Sequence, residues 1–162
     1  MKLMNNLSIK TRLQQYEQLG FSGMELNEIE EGLYDGVDAD LYADKRFNYD
    51  TMEAIRTGLG KGIHPDQYLD ITEEGETIRA LILGFTHNID LRDYAKQGFV
   101  GLQLKYILKS IEHQVDVSKV AKVHYPPGVM HQIVDGLIDG IDISKYAEEG
   151  YGGLVLRHVL RA

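Results

Sequence analysis

The chain has 162 residues with a formal net charge of −8, a length that suits one domain with a sizeable core. It contains no cysteine, which excludes disulfide bonds and cysteine-ligated zinc. There is no run of about 18 apolar residues to span a membrane, and the N-terminal segment lacks the apolar run of a signal peptide, so we expect a cytoplasmic protein.

The sequence repeats itself every 26 residues without insertion or deletion, and a period of this size is typical of solenoids. Positions are counted from the first residue of each repeat. Apolar residues recur at positions 6, 9, 13 and 17, and these steps of three and four residues place them on one face of a helix. The repeats and flanking half-repeats are 1–20 (N-terminal half), 21–46, 47–72, 73–98, 99–124, 125–150 and 151–162 (C-terminal half).

The N-terminal half-repeat matches the second half of a full repeat. Tyr16 falls in a column of tyrosines, and Gly20-Phe21 matches Gly98-Phe99. This match predicts a capping helix over about residues 8–19.

Each full repeat then begins with a helix of about three turns. Glycine and asparagine accept the left-handed conformation just past a helix C-terminus. Position 16 holds glycine or asparagine in four of the five repeats and glutamine in the other, so the helix is expected to end there. These residues are Gly36, Gly62, Asn88, Gln114 and Gly140.

A short second helix follows in each repeat. Position 18 carries a side-chain acceptor that suits a helix N-cap, and Pro65 suits the first helical position after His64. The predicted caps are Asp38, His64, Asp90, Asp116 and Asp142.

Position 12 holds a small residue inside each first helix. Glycine there costs about 1 kcal/mol against alanine, so these residues predict a close backbone approach between helices. They are Gly32, Gly58, Gly84, Ser110 and Gly136. One repeat cannot bury its apolar stripe alone, whereas stacked repeats can. The predicted fold is therefore all-α: an α-solenoid of about five helix–turn–short-helix repeats with terminal half-repeats, forming one domain over 1–162.

The C-terminal half-repeat has no repeat after it in this sequence to cover its apolar side chains. Either these side chains pack only backward, or they form a surface for a homodimer. They are Leu154, Leu156, Val159 and Leu160.

Charge is distributed unevenly along the chain. Residues 21–76 have a net charge of −11, whereas residues 77–162 have a net charge of +1. The acidic part could attract a basic partner protein or merely keep the chain soluble. Direct binding to nucleic acid is disfavoured, because phosphate binding needs clustered lysine and arginine. The candidate partner-binding residues, all expected to face solvent, are Glu28, Glu31, Asp35, Glu53, Arg79, Lys105, His131 and Arg157.

Signatures of catalysis and of metal binding are absent from the sequence. There is no Gly-x-Ser-x-Gly elbow and no Walker-type Gly-Lys-Ser/Thr. The glycine-rich segment 58–62 lies at a predicted helix C-terminus, which repels phosphate. The six histidines lack the spacing of metal ligands. We therefore expect no catalytic residue, no metal and no cofactor.

The unit Met-x-x-Ile-x-x-Gly-Leu-x-x-Gly-Ile/Val-Asp-x-x-x-Tyr-Ala is clearest at 52–68 and 130–147. It resembles a degenerate helical repeat of uncharacterised proteins from Gram-positive gut bacteria and their mobile elements. That resemblance implies an all-helical repeat fold and no assigned activity. Our first hypothesis is a non-enzymatic protein–protein interaction module. The alternative is a phage or mobile-element inhibitor, of the anti-CRISPR or anti-nuclease type, whose acidic surface mimics nucleic acid.

Overall fold

The computed structural model describes residues 5–162, and this part of the chain is all-helical, with no β-strand. None of its helices is long and apolar enough to cross a membrane. The chain divides into two compact units, the first ending at Thr86 and the second beginning at His87. The first unit contains α1 (Asn6–Gln18), α2 (Gly23–Asp35), α3 (Tyr49–Gly60) and α4 (Gly75–Thr86). The second contains α5 (Arg92–Lys96), α6 (Gly101–Glu112), α7 (Pro127–Ile138), α8 (Ser144–Glu148) and α9 (Gly153–Arg161).

The predicted capping helix is present as α1. The long helices α2, α3, α4, α6, α7 and α9 begin at residues 23, 49, 75, 101, 127 and 153, a constant interval of 26 residues. Each unit packs its long helices in sequence order, α2 on α3 on α4 in the first and α6 on α7 on α9 in the second.

The core of each unit includes the apolar residues at positions 6 and 9 and buried aromatic residues such as Phe47 and Phe99. Complete burial of such a side chain contributes about 1.5–3 kcal/mol. Leu26 and Val159 are half-buried, whereas the other members of these columns are fully buried. The buried members are Met52, Ile78, Leu104, Met130 and Leu156 at position 6, and Ile29, Ile55, Leu81, Ile107 and Ile133 at position 9. Most residues at positions 13 and 17 are only half-buried, so the apolar face is narrower than predicted.

The predicted turns and caps are confirmed in every repeat. The residue at position 16 has a positive φ, between 56° and 78°, and the side chain at position 18 accepts a hydrogen bond from the main-chain N–H two residues later. For example, Asp142 Oδ1 lies 2.9 Å from the amide nitrogen of Ser144.

The second element of the repeat takes two forms. It is an α-helix in α5 and α8, but a single 3₁₀ turn at Ala39–Leu41, Pro65–Gln67 and Val117–Lys119. The α-helical form ends at a glycine at position 26 with positive φ, Gly98 at 104° and Gly150 at 96°. The 3₁₀ forms have arginine, threonine or histidine at that position. Glycine adopts the left-handed conformation that closes an α-helix without steric cost, so position 26 separates the two forms.

The small residues at position 12 do not bring helix backbones together, and that expectation is wrong. A Cβ at Gly32 would lie 1.8 Å from Tyr42 Oη, and a Cβ at Gly58 would lie 2.7 Å from the Ile82 side chain. These two glycines therefore make room for side chains, whereas a Cβ at Gly136 would lie 2.6 Å from the main-chain oxygen of Ile141, in the turn after the same helix. The close approach between helices occurs instead at position 3, where a Cβ at Gly153 in α9 would lie 2.8 Å from the main-chain oxygen of Gly128 in α7.

Candidate interaction surface

The first unit contains five of the eight candidate partner-binding residues, and they differ in exposure. Glu31 and Asp35 on α2 are exposed, and Glu53 on α3 is half-buried. Glu28 is only 8% exposed, so the expectation that it faces solvent is wrong. The physical reason lies on the neighbouring helix.

Arg56 of α3 binds two carboxylates of α2. Its Nε lies 2.9 Å from Glu28 Oε2, and its Nη1 lies 3.1 Å from Asp35 Oδ2. A buried carboxylate is stable only when it is paired and hydrogen-bonded. The Arg56 guanidinium provides both the opposite charge and the hydrogen bond for Glu28. The two acids therefore connect α2 to α3.

Arg79 of α4 makes the corresponding connection to α3. Its Nη2 lies 2.8 Å from Asp50 Oδ1 and 3.6 Å from Glu53 Oε1. The hydrogen bond to Asp50 raises the pKa of the guanidinium, while partial burial opposes that shift. Arg79 and Glu53, predicted as separate contacts for a partner, therefore form an ion pair with each other.

A polar cluster that the sequence analysis missed connects α1 to the turn after α2. The Tyr16 hydroxyl donates to Asp40, and Arg12 Nη2 lies 3.0 Å from the same carboxylate. Burial, followed by the hydrogen bond to Asp40, raises the pKa of Tyr16 to about 12. The available signal was Arg12, which occupies position 18, where most repeats have aspartate.

The second unit contains the remaining three candidates. Lys105 on α6 and Arg157 on α9 are exposed. His131 on α7 stacks on Tyr106, with ring centroids 5.1 Å apart, and its Nε2 lies 3.0 Å from Asp135 Oδ2.

A shallow cavity of about 460 Å³ contains both His131 and Arg157, together with Asp135 and Arg161. The structure thus brings two of the predicted residues together and adds Asp135, which sequence reasoning missed. Lys109 Nζ lies 2.9 Å from Asp135 Oδ1, so Asp135 also connects α6 to α7.

The four apolar residues of the candidate dimer surface also differ in exposure. Leu154 is 71% exposed, whereas Leu156 is completely buried within its own unit. Val159 and Leu160 are half-buried, and Leu160 lies beside Gly136 of α7. Leu156 therefore packs backward, as in the first of the two alternatives, whereas Leu154 remains exposed.

Within residues 5–162, no group of three or more histidine, aspartate or glutamate side chains is placed to hold a metal ion. His87 contacts the carboxylate of Glu112 in the second unit. Comparison with known protein families, curated proteins and solved structures gives no match. The surfaces of this chain are therefore the basis for inferring its function.

Proposed function

We propose that the chain is a non-enzymatic protein–protein interaction module built on an α-solenoid of 26-residue repeats. The constant spacing of the long helices and their packing in sequence order within each unit support a solenoid. Stacked helical repeats provide extended surfaces that bind other proteins. Fold alone is a weak argument for function, so the proposal depends on the composition of the surface.

The observation that carries the proposal is the same pairing of an exposed leucine with an exposed basic residue on α6 and on α9, the two helices of the second unit that pack on α7. Leu102 of α6 is 48% exposed and Leu154 of α9 is 71% exposed. Exposed Lys105 and Arg157 follow them by three residues, so they lie one turn along on the same helix face. Arginine is enriched among the residues that dominate binding energy at protein interfaces, and burial of the two exposed leucines against a partner would add apolar area. We call these four residues the binding stripe.

The test is affinity capture with the immobilised 162-residue chain and a lysate of a Gram-positive gut bacterium, the source that the repeat resemblance favours. Two variants alter the binding stripe: Leu102→Ser with Leu154→Ser, and Lys105→Glu with Arg157→Glu. The matched controls are Leu19→Ser, at an exposed leucine of the first unit, and Lys96→Glu, at an exposed lysine of α5. We expect one partner protein to be retained by the wild type and by both controls and lost at least about tenfold in the stripe variants. Equal retention by all baits would refute the proposal.

An acidic mimic of nucleic acid is the second candidate. The net charge of −11 over residues 21–76 counts Arg56 but not Arg12 and Arg79, which pair with acids of this segment; with both included, the net charge is still −9. Glu31 and Asp70 are exposed and have no cationic partner within the described part of the chain. Glu28 and Glu53 pair with Arg56 and Arg79, so reversing their charge would also perturb the fold.

The second candidate is better tested with Glu31→Lys and Asp70→Lys together. If the chain mimics nucleic acid, the captured partner is basic, dissociates as salt rises, and is lost in this variant. A partner that ignores both salt and charge reversal contradicts the mimic and leaves the binding stripe as the interface.

A further inference from the structure

In the first repeat, the chain places one of its own lysines over an aromatic ring. Lys45 Nζ lies 4.4 Å from the centroid of the Phe21 ring and 3.8 Å from Glu25 Oε2, and it donates to the main-chain oxygen of Gly20. An ammonium group is attracted by the face of an aromatic ring and by both oxygens. Gly20, Phe21 and Glu25 thus form a cup for a cation.

Four repeat periods later, the equivalent place is an open cavity. The residues corresponding to Gly20, Phe21 and Glu25 are His124, Tyr125 and Val129, and all three line a cavity of about 290 Å³ in the second unit. Glu148 and Tyr151 complete its wall. The residue corresponding to Lys45 is the exposed Glu149. The fifth repeat therefore keeps the ring and lacks the lysine; its acidic group at the cavity is Glu148, at the position of Asp44, because Val129 replaces Glu25.

Tyr125 carries a hydroxyl that packing does not require. The same position holds buried phenylalanine in three other repeats, at Phe21, Phe47 and Phe99. Tyr125 is only 3% exposed, and its hydroxyl has no hydrogen-bond partner within residues 5–162. Burying an unpaired hydroxyl costs free energy, and because the oxygen itself is buried, a small shift of the ring that lets a ligand donate to it would offset that cost.

Glu148 supplies negative charge at this cavity. Burial raises the pKa of the Tyr125 hydroxyl, and the charge of Glu148 raises it further, so the carboxylate lies close enough to act on the buried oxygen. The aromatic and proline side chains at the rim, Tyr151 and Pro126, add apolar surface for an alkyl chain. A carboxylate and aromatic rings together favour a cation and repel an anion.

We infer that this cavity binds the side-chain ammonium group of a lysine presented by a partner protein. The inference rests on the proposed interaction function and names one contact of it. The ammonium group occupies the place that Lys45 Nζ takes in the first repeat, near Glu148 and Tyr125. The methylene groups of the lysine lie against Val129, Pro126 and Tyr151.

The test is an NMR titration of the ¹⁵N-labelled 162-residue chain at low ionic strength with Nα-acetyl-lysine N-methylamide. The amides of Gly150, Tyr151 and Gly152 report on the cavity wall. The matched ligand is Nα-acetyl-norleucine N-methylamide, which keeps the alkyl chain and lacks the charge. We expect saturable shifts of the three amides with the lysine derivative and none with the norleucine derivative. Equal shifts with both, or none with either, would overturn the inference.

Two variants test the named groups. We expect Glu148→Gln to weaken binding about threefold, the effect of losing an exposed ion pair, and Tyr125→Phe to weaken it about threefold or more by loss of a hydrogen bond. Phenylalanine occupies the same position in other repeats, so the second variant folds. Glu149→Gln is the control, because it removes the same charge from a residue outside the cavity wall, and it leaves binding unchanged. Equal weakening by both glutamine variants would contradict the cavity as the site.

A free polyamine offers the same chemical group. A third titration therefore uses spermidine. Binding more than about tenfold tighter than that of the lysine derivative would exceed the gain expected of one extra exposed ion pair. That result would contradict a lysine of a partner protein as the ligand. The outcomes for the two proposals are separable. If capture depends on the binding stripe but Glu148→Gln retains the partner and no amide shifts, only this inference is refuted. If no stripe-dependent partner exists, the interaction function itself fails.

Discussion

The ring of Tyr42 fills the space beside Gly32. A Cβ at residue 32 would lie 1.8 Å from Tyr42 Oη, and that hydroxyl is held in place because it donates to the main-chain oxygen of Glu28, 2.7 Å away. We expect Gly32→Ala to lower the free energy of unfolding by about 2 kcal/mol, the usual cost of overpacking. This loss exceeds the gain of about 1 kcal/mol in helix propensity. Urea denaturation followed by circular dichroism measures the change.

Gly60→Ala is the matched control. Nothing lies within 4 Å of a Cβ at Gly60, which is also the last residue of α3, so this variant should be neutral or more stable by up to about 1 kcal/mol. Combining Gly32→Ala with Tyr42→Phe should reduce the cost of the alanine, because the closest atom is removed. If Gly32→Ala is as stable as Gly60→Ala, the described packing of Tyr42 is wrong.

Tyr68 occupies the position of Tyr42 in the next repeat but lacks its hydrogen bond. It is fully buried, its hydroxyl has no partner in the described chain, and burial raises its pKa. We therefore expect Tyr68→Phe to raise the free energy of unfolding by about 1 kcal/mol and Tyr42→Phe to lower it by about 1 kcal/mol. Opposite signs for two substitutions of the same type, measured by urea denaturation, are the result to look for. Destabilisation by both would show that Tyr68 has a partner.

The features predicted best from the sequence depend on residues that are close in the chain. Left-handed turns at Gly36 and Gly140, and the cap made by Asp142, are set by the conformational preference of one residue and a partner two residues away. Such preferences act in every repeat in the same way. The 26-residue period was therefore sufficient to predict the long helices and the turns that end them.

The features that were missed depend on partners one repeat away. The burial of Glu28 requires Arg56, and the role of Gly32 requires the hydroxyl of Tyr42. Position 10 is apolar in four of six repeats and holds Arg56 in the second, which was an available signal for a buried ion pair. The periodicity identified the repeated positions, but it did not show which side chains at different positions contact each other.

Arg56 should matter more to stability than other arginines with two carboxylate partners. Arg56→Met leaves the Glu28 carboxylate buried without its cation, so we expect the free energy of unfolding to fall by about 2 kcal/mol. This loss is smaller than the full cost of breaking a buried pair, because Asp35, the second carboxylate partner of Arg56, is exposed. The double variant with Glu28→Gln should recover part of that loss, since the buried charge is gone. Thermal and urea denaturation at neutral pH measure both.

Arg46→Met provides the comparison. Arg46 also contacts two carboxylates, those of Asp44 and Glu73, at 3.2 and 3.3 Å, but all three side chains are about half exposed. Exposed ion pairs contribute about 0–1 kcal/mol, so this variant should be close to the wild type. Equal losses in Arg46→Met and Arg56→Met would mean that burial of Glu28 is not the cause.

Asp142 should make stability depend on pH in a narrow acidic range. Its hydrogen bond from Lys119, and then those from Ser144, lower its pKa from 3.8 to about 2. The charged form is favoured in the folded state, so its stabilising effect is complete above the unfolded pKa and is lost as pH falls from about 4 toward 2.

Asp142→Asn keeps an acceptor for the Ser144 amide but removes the charge. We expect wild type to be more stable than this variant at pH 6, with the difference shrinking below pH 4 and in 1 M salt. Asp70→Asn, at an exposed carboxylate with no cationic partner within residues 5–162, should show little difference from the wild type at pH 6. A difference for Asp142→Asn that persists unchanged at pH 2 would show that the Lys119 pair is not its source.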